Sequence, residues 1–501
     1  MINSLLDGVK PQDIRVAFVH DLTFNEPIGI GYLAAYIKKH FPLVKVALFD
    51  PKVDPISSIA DFQPTLVLYS IMTGQQKQYI ERNIRIKKLL KPFISVFGGA
   101  HPTYFPEMVT EEGVDIICRG EGEKPLGNLI QAMVSHSDIR FIKGLWVKYD
   151  DKIHRNEVDL LIDDLSALPF PDRDIYYGKS SFLRTYGRKP VVGARGCPFK
   201  CSYCYNSGLN ALFAGKGKVF RSRSPQSVVS EVKAIKSKFN LRFIAFIEDV
   251  FSGIDIEWLK AFQAEYSKLD IPFFVSLRAE FVNSRLAKYL RKSGCVSASM
   301  AIEHGEYEYR KKYLFRNMSN DMLIEGTRIL ESEGIRVASP VMLGLPFSDL
   351  NSDIETLRLV SKTRPTHATT AVFQPYPGTA LTNMCLEKKL LEAVDVDNLQ
   401  DDFYSPAPLK GVDYKKVLKL HNSFSVILLI NRWFKTDVGK CFKRLPDLSI
   451  IGLVNVFLKY LSFRKIISYR RSLIEIIREI YNALSSGVFG VGAKRKREPS
   501  W

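Results

Sequence analysis

The run Arg195-Gly196-Cys197-Pro198-Phe199-Lys200-Cys201-Ser202-Tyr203-Cys204-Tyr205-Asn206 sets three thiols at the spacing Cys-x3-Cys-x2-Cys, directly after a predicted strand over 191–195. On a loop loosened by Gly196 and Pro198, three thiolates can wrap one face of a cubane 4Fe–4S cluster and leave its fourth iron without a local protein ligand. That open iron can chelate the amino and carboxylate groups of S-adenosylmethionine. A zinc site, or three incidental cysteines, is the competing reading. Zinc requires a fourth ligand nearby. Downstream neither His nor Cys recurs before Cys295, and the next cysteine upstream is Cys118, in another predicted domain.

The strand before this loop opens an alternating series. Strands are predicted over 191–195, 243–247, 273–277, 297–303, 337–343 and 369–374, with helices between them over 227–238, 255–267, 284–292, 321–333 and 352–361. Six units predict an α/β domain over 188–404, a partial (β/α)6 barrel whose chemistry lies at the carboxyl ends of its strands. A second series precedes it, with strands over 14–20, 44–49, 65–70, 93–98 and 114–118 and helices over 29–39, 76–90 and 123–135. This predicts a doubly wound, Rossmann-like lobe over 1–145 with ligands beyond its strand ends. Residues 146–187 read as a linker, and 405–501 as a basic helical region.

Composition narrows the function classes. The chain has 501 residues, 46% apolar and 25% charged, which suits a globular protein of two or three domains. Its net charge of +18 is uneven: residues 410–501 carry 19 Lys or Arg against 6 Asp or Glu, which is +13, leaving +5 for everything before them. The basicity therefore belongs to the tail and argues against a nucleic-acid surface spread over the whole chain. Seven cysteines with one tight cluster do not form a secreted disulfide framework, and residues 1–11 hold no apolar leader, so a cytoplasmic protein is expected. No apolar stretch reaches the roughly 20 residues of a spanning helix. In the tail, 414–424, 426–434, 450–461 and 473–484 alternate apolar stretches with Lys and Arg. Such helices either cap the barrel with a solvated basic face or lie peripherally on the inner membrane surface, the latter favouring a lipid substrate.

The cysteine motif and its setting resemble the cobalamin-binding branch of the radical S-adenosylmethionine superfamily over about residues 10–400. The resemblance implies metal ligation by Cys197, Cys201 and Cys204, and puts Tyr203 beside the adenine of S-adenosylmethionine, although as an aromatic residue it could equally be a packing residue. It implies further cofactor contacts at successive strand ends: Glu248 and Asp249 for the amino group, then Arg278 and Glu303; strand-end solvation or a buried ion pair is the alternative for each. Gly344-Leu345-Pro346 and Gln374-Pro375-Tyr376-Pro377-Gly378-Thr379 resemble family turns near the adenosyl group. In the first lobe the resemblance implies a cobalamin site at Gly29, Gly31, Ser70, Gly98, Gly99 and His101, with Arg119-Gly120-Glu121-Gly122-Glu123 beside it. No histidine here has Asp two before and Gly three after, so the cobalt-ligating Asp-x-His-x-x-Gly pattern is absent.

The implied activity is one-electron cleavage of S-adenosylmethionine to a 5′-deoxyadenosyl radical, followed by cobalamin-dependent methyl transfer to an unactivated carbon of a small-molecule or lipid substrate. An electron donor such as flavodoxin or ferredoxin is implied with it. Radical cyclisation or rearrangement without methylation is the nearest alternative. RNA methylthiolation would require three further N-terminal cysteines, and only Cys118 precedes Cys197. A metal-stabilised binding module would leave the series of strand-end charges without a use. No general acid, base or nucleophile is assigned.

Overall fold

The computed structural model describes residues 10–23, 25–90, 92–392, 399, 404–469, 471, 475–477 and 479. These form two compact units, one of residues through Thr185 together with Gly208–Val219, the other of Tyr186–Ser207 together with residues from Phe220 onward.

In the first unit Arg15–Val19 (β1), Lys45–Phe49 (β2), Leu66–Ser70 (β3), Ile94–Gly98 (β4) and Ile116–Cys118 (β5) run parallel. Val16–Val19, Leu66–Tyr69 and Ile94–Phe97 are buried without alternation, the pattern of strands covered on both faces. The sheet order is β2-β1-β3-β4-β5 followed by two further strands, so the strand order reverses between β1 and β3. Ile28–His40 (α1), Ala100–Tyr104 (α2) and Glu123–Val134 (α3) are among the covering helices.

The expected linker over 146–187 is corrected at its start. Leu145–Tyr149 (β6) and Lys152–Arg155 (β7) form an antiparallel hairpin that extends the sheet beyond β5. Its turn is Asp150-Asp151, with φ of 47° and 61°, the left-handed pair that a two-residue hairpin needs and Asp tolerates. The remainder wraps back onto the same unit. Glu26, whose side chain is buried, accepts from Arg173 at 2.5 Å, Tyr176 at 3.1 Å and Tyr177 at 2.7 Å.

The second unit is built on Arg188–Val191 (β8), a short antiparallel ribbon of Ala194–Arg195 (β9) and Arg221–Ser222 (β10), and then Phe243–Phe246 (β11), Phe273–Leu277 (β12), Cys295–Met300 (β13), Arg336–Leu343 (β14) and His367–Val372 (β15). The main sheet has the order β15-β14-β13-β12-β11-β8, all parallel, with β8 and β15 as free edges: a partial barrel. The strand predicted over 191–195 instead ends at Val191, because the Gly193 N–H is taken by the Glu248 carboxylate at 3.0 Å and leaves the ladder. Ser224, Asp255, Asn283, Ser319 and Asp349 each cap the helix that follows a strand-end loop, which fixes where those loops stop.

Leu350–Thr363 (α4) is followed by the tail helices Tyr414–Phe434 (α5), Val438–Arg444 (α6) and Ser449–Ile466 (α7). Val417, Leu420, Phe424 and Ile427 of α5 share one core with Leu357 of α4, Val341 of β14 and Val372 of β15. Asn455 of α7 accepts from the Ser425 N–H at 2.7 Å and donates to the His421 carbonyl at 3.2 Å. One face of the tail thus caps the partial barrel. Most of the predicted stretch 473–484 lies outside the described residues. Among those described, no helix is long and apolar enough to cross a membrane.

Candidate functional site

The cysteine loop of the second unit is pinned at its centre. Ser202 is fully buried; its N–H donates to the Leu314 carbonyl at 3.2 Å, its hydroxyl to the Tyr313 carbonyl, and its own carbonyl accepts from Leu381 at 2.9 Å. The three thiols on either side carry no disulfide. Donors converge on them: Arg278 Nη1 lies 3.2 Å from Cys201 Sγ, Arg316 Nη1 3.9 Å from the same sulfur, and Asn206 Nδ2 3.8 Å from Cys204 Sγ. Burial pushes the Cys197 thiol up and that of Cys204 to about 11, so metal binding must displace protons from both. Guanidinium and amide donors aimed at sulfur stabilise thiolate, the form that binds iron, although among the described residues no three His, Cys, Asp or Glu side chains stand close enough to hold a single metal ion.

Beyond the sulfurs, the strand ends supply carboxylates. After β11, Glu248 is buried; Oε2 accepts from Gly193, while Oε1 has no hydrogen-bond partner among the described residues. Burial pushes this carboxyl up to about 8. Asp249 is exposed at the strand end; the protein around it raises its carboxyl, and a hydrogen bond from Asn206 draws it back and links it to the loop of Cys204. After β12, Arg278 lies over Phe199 at 3.7 Å and pairs with Glu280 at 2.5 Å. After β13, Glu303 adopts φ of 65°, rare for a residue with a side chain, and its carbonyl accepts from Met342 at 2.8 Å. The Glu303 carboxylate accepts from Tyr203 Oη at 2.8 Å, and Arg316 Nη1 donates to the same Oη at 3.2 Å. Burial raises Glu303 while the Arg316 charge lowers it. The partly buried Tyr203 ring packs on the cluster that holds Leu314, Leu345, Phe373 and Leu381.

In the first unit, Ser70 and Gly98 face each other in register at the ends of β3 and β4. At Gly99, φ is 102° and a Cβ would stand 2.5 Å from the Ile71 carbonyl oxygen, so no other residue fits without moving the strand end. His101 is buried on α2, with Nδ1 3.2 Å from Thr73 Oγ1 and its ring 5.0 Å from that of Phe105. Gly29, in the first turn of α1, is exposed to open space. At Gly31 a Cβ would stand 3.0 Å from Pro171 and 3.4 Å from Tyr176, so its small size admits the returning segment 156–185. Unanticipated from sequence is the end of β1, where Asp21 pairs with buried Arg82 at 3.2 Å and burial lowers neighbouring His20 to about 4.

The family profile described as "B12 binding domain" matches residues 14–130, and that described as "Radical SAM superfamily" matches residues 191–360. Together they cover more than half of the chain and fall on the two halves just described. The chain belongs to the cobalamin-binding radical S-adenosylmethionine enzymes. An uncharacterized methyltransferase of Pyrococcus horikoshii is 24% identical over 383 residues, covering 74% of this chain and 80% of the relative. The anaerobic magnesium-protoporphyrin IX monomethyl ester cyclase of Cereibacter sphaeroides is 24% identical over 403 residues, covering 74% of this chain and 63% of the cyclase. Among solved structures, the cobalamin-dependent S-adenosylmethionine radical enzyme OxsB with aqua-cobalamin and S-adenosylmethionine bound shares the fold at a TM-score of 0.67 and 17% identity, over 94% of this chain and 75% of that one.

In a radical S-adenosylmethionine enzyme the arrangement has a direct chemical reading. The thiols offer a cluster three ligands, and the Glu248 oxygen lacking a partner offers an ammonium group an acceptor. Glu303, Tyr203 and Arg316 form a network reaching from β13 to Cys201. Arg316 carries no motif and lies in coil past Phe315, whose φ of 53° turns the chain back; nothing in its sequence neighbourhood marks it.

Proposed function

We propose that this enzyme holds a 4Fe–4S cluster on Cys197, Cys201 and Cys204, S-adenosylmethionine against Glu248, Asp249, Arg278 and Glu303, and cobalamin at the strand ends of its first unit around Ser70, Gly98, Gly99 and His101, and that it transfers a methyl group to an unactivated carbon of a small molecule. These groups, when bound, supply one-electron carbon–sulfur cleavage, hydrogen abstraction and a transferable methyl. The observation that carries the reading is the buried Glu248 carboxylate, whose Oε1 has no partner among the described residues, in the same unit as three thiols of which Cys201 receives a guanidinium donor and Cys204 an amide donor. Glu248 and Asp249 orient an amino group, Arg278 holds the Cys201 sulfur and neutralises charge beside it, and the Tyr203–Glu303–Arg316 network fixes the cysteine loop from behind. A one-electron donor of flavodoxin or ferredoxin type completes the requirement.

The likeness to a methyltransferase over 80% of its length supports methyl transfer. The likeness to a cyclase supports ring formation as the second reading, over a smaller share of that relative. Anaerobically reconstituted enzyme supplied with methyl-labelled S-adenosylmethionine, cobalamin and substrate separates them. Label in the substrate product supports methylation; a product that changes mass without gaining label, while 5′-deoxyadenosine accumulates, establishes the second reading.

A further inference from the structure

The tail helices present two faces. On α7, Asn455, Val456, Lys459, Tyr460 and Ile466 are buried against the partial barrel. The other face carries Ile450, Leu453, Val454, Phe457 and Leu461, each between 41% and 59% exposed. At 100° per residue these five fall within a stripe about 100° wide. Arg464 and Lys465 continue it at the C-terminal end of the helix. On α5, Leu429 is 41% exposed, and Trp433 and Phe434, at its last turn, are 75% and 74% exposed. Scattered exposed apolar residues need no explanation, but a helical stripe of five, with a nearly bare Trp-Phe pair at the end of the helix packed against it, does.

Between α5, α7 and the loop from α4 into β15 lies an open groove of about 290 Å3. Leu429, Leu458 and Leu461 contribute apolar walls, and Arg364, Arg432 and Lys465 contribute cations; no Asp or Glu lines it. None of the three cations has an ion-pair partner among the described residues, whereas Arg358 nearby on α4 is paired with Glu355 and Asp437. The groove opens at the amino end of β15, whereas Glu248, Arg278 and Glu303 follow the carboxyl ends of their strands. Across 414–466 the sequence holds eleven Lys or Arg against two Asp.

We propose that this face docks on an anionic lipid bilayer, with the α7 stripe, Trp433 and Phe434 entering the acyl boundary and Arg364, Arg432 and Lys465 receiving the phosphate of a phospholipid headgroup in the groove. Charge complementarity selects this occupant. The cations border the apolar stripe and are uncompensated, as a surface between negatively charged headgroups and hydrocarbon requires, while a second copy of the same face would bring like charges together. The packed face of the same helices holds the barrel, so docking needs no rearrangement of the fold. The inference does not rest on the chemistry proposed above.

The test is sedimentation of the full chain with vesicles of phosphatidylcholine alone or mixed equally with phosphatidylglycerol, at low and high salt. The expected result is a strong preference for the mixed vesicles that high salt weakens. Each basic residue at such a surface is worth about fivefold in partitioning, so joint replacement Arg364→Gln, Arg432→Gln and Lys465→Gln lowers binding to mixed vesicles about a hundredfold. Phe457→Ser with Leu453→Ser lowers it on both vesicle types. All five side chains are exposed, and unchanged thermal melting verifies the fold of the variants. Independently, brominated acyl chains quench wild-type fluorescence, and Trp433→Phe removes that quenching. Equal binding to both vesicle types, triply substituted protein that binds as wild type does, or a wild-type dimer that Phe457→Ser dissociates would each overturn the proposal.

Discussion

Replacement of Glu248 by Gln is expected to move stability and ligand affinity in opposite directions. The carboxyl is buried, its Oε2 accepts the Gly193 N–H at 3.0 Å and its Oε1 makes no hydrogen bond of normal geometry among the described residues, and burial pushes it up from 4.5 to about 8. A carboxyl raised by folding costs stability as pH climbs: the unfolded chain ionises near 4.5, the folded one only near 8, so unfolding releases a proton throughout that window. The penalty grows from pH 4.5 to 8 and amounts at full development to roughly 2–5 kcal/mol. Gln keeps the shape and the Gly193 bond and carries no such penalty, so ligand-free Glu248→Gln melts higher than wild type at pH 8. For S-adenosylmethionine the sign reverses. Its ammonium binds the carboxylate, and losing a charge-assisted bond of about 1.5–3 kcal/mol weakens binding by roughly 10- to 150-fold. Below pH 8 the free wild-type enzyme must also surrender the Glu248 proton on binding, so its apparent Kd rises about tenfold for each pH unit below 8. In Glu248→Gln this dependence is absent. Anaerobic calorimetric titration across pH 6–9, with melting curves on the same samples, measures both. A variant that binds within about twofold of wild type and melts no higher would refute the placement of the amino group at Glu248.

Cys201→Ala is expected to abolish iron–sulfur absorbance after reconstitution and with it 5′-deoxyadenosine release, while cobalamin binding by the first unit persists. Arg316→Met removes the cation beside half-buried Glu303; urea denaturation should show a loss of about 3–5 kcal/mol at pH 8 that shrinks as pH falls and Glu303, whose carboxyl is raised by burial, takes up a proton, with Arg316→Lys recovering part of it. Gly99→Ala forces a Cβ to 2.5 Å from the Ile71 carbonyl at a φ of 102°, so it should cost about 1–3 kcal/mol or more by denaturation and weaken corrinoid binding measured by absorbance.

What the sequence could reveal about this site depends on how locally each residue is specified. Three cysteines within eight residues declare their chemistry through spacing alone. Glu248, Arg278 and Glu303 are recoverable because β11, β12 and β13 end just before them and the fold gathers successive strand ends in one place. Arg316 escapes because it reaches Tyr203 from coil more than a hundred residues away, a relation only the folded chain creates. Gly29 and Gly31 show a different limit. Two residues apart on a helix they point about 200° apart, so one faces open space and the other meets Pro171, yet in sequence they are indistinguishable. The hairpin at Asp150-Asp151 did have a local signal, two turn-forming residues between short apolar runs, but its neighbouring Pro-rich stretch made the whole of 146–187 read as linker.

The tail posed a choice in sequence between a helical cap and a lipid-facing surface, and the structure removes the opposition between them. A helix of 18 residues has circumference enough for both. Val456, Tyr460 and Ile466 satisfy the barrel, while Ile450, Leu453, Phe457 and Leu461 remain outside it. Even the lysines divide by face. Lys459 is buried, donates to Thr370 at 3.1 Å and is lowered to about 7 by desolvation, whereas Lys465 stands exposed at the groove. A count of charges cannot make this division, because a buried lysine contributes to the net charge of the tail without contributing to its surface. The basic excess that matters for an anionic bilayer is the part that burial leaves behind, and Arg364, which precedes the tail altogether, joins it only because the fold brings the end of α4 beside α5 and α7.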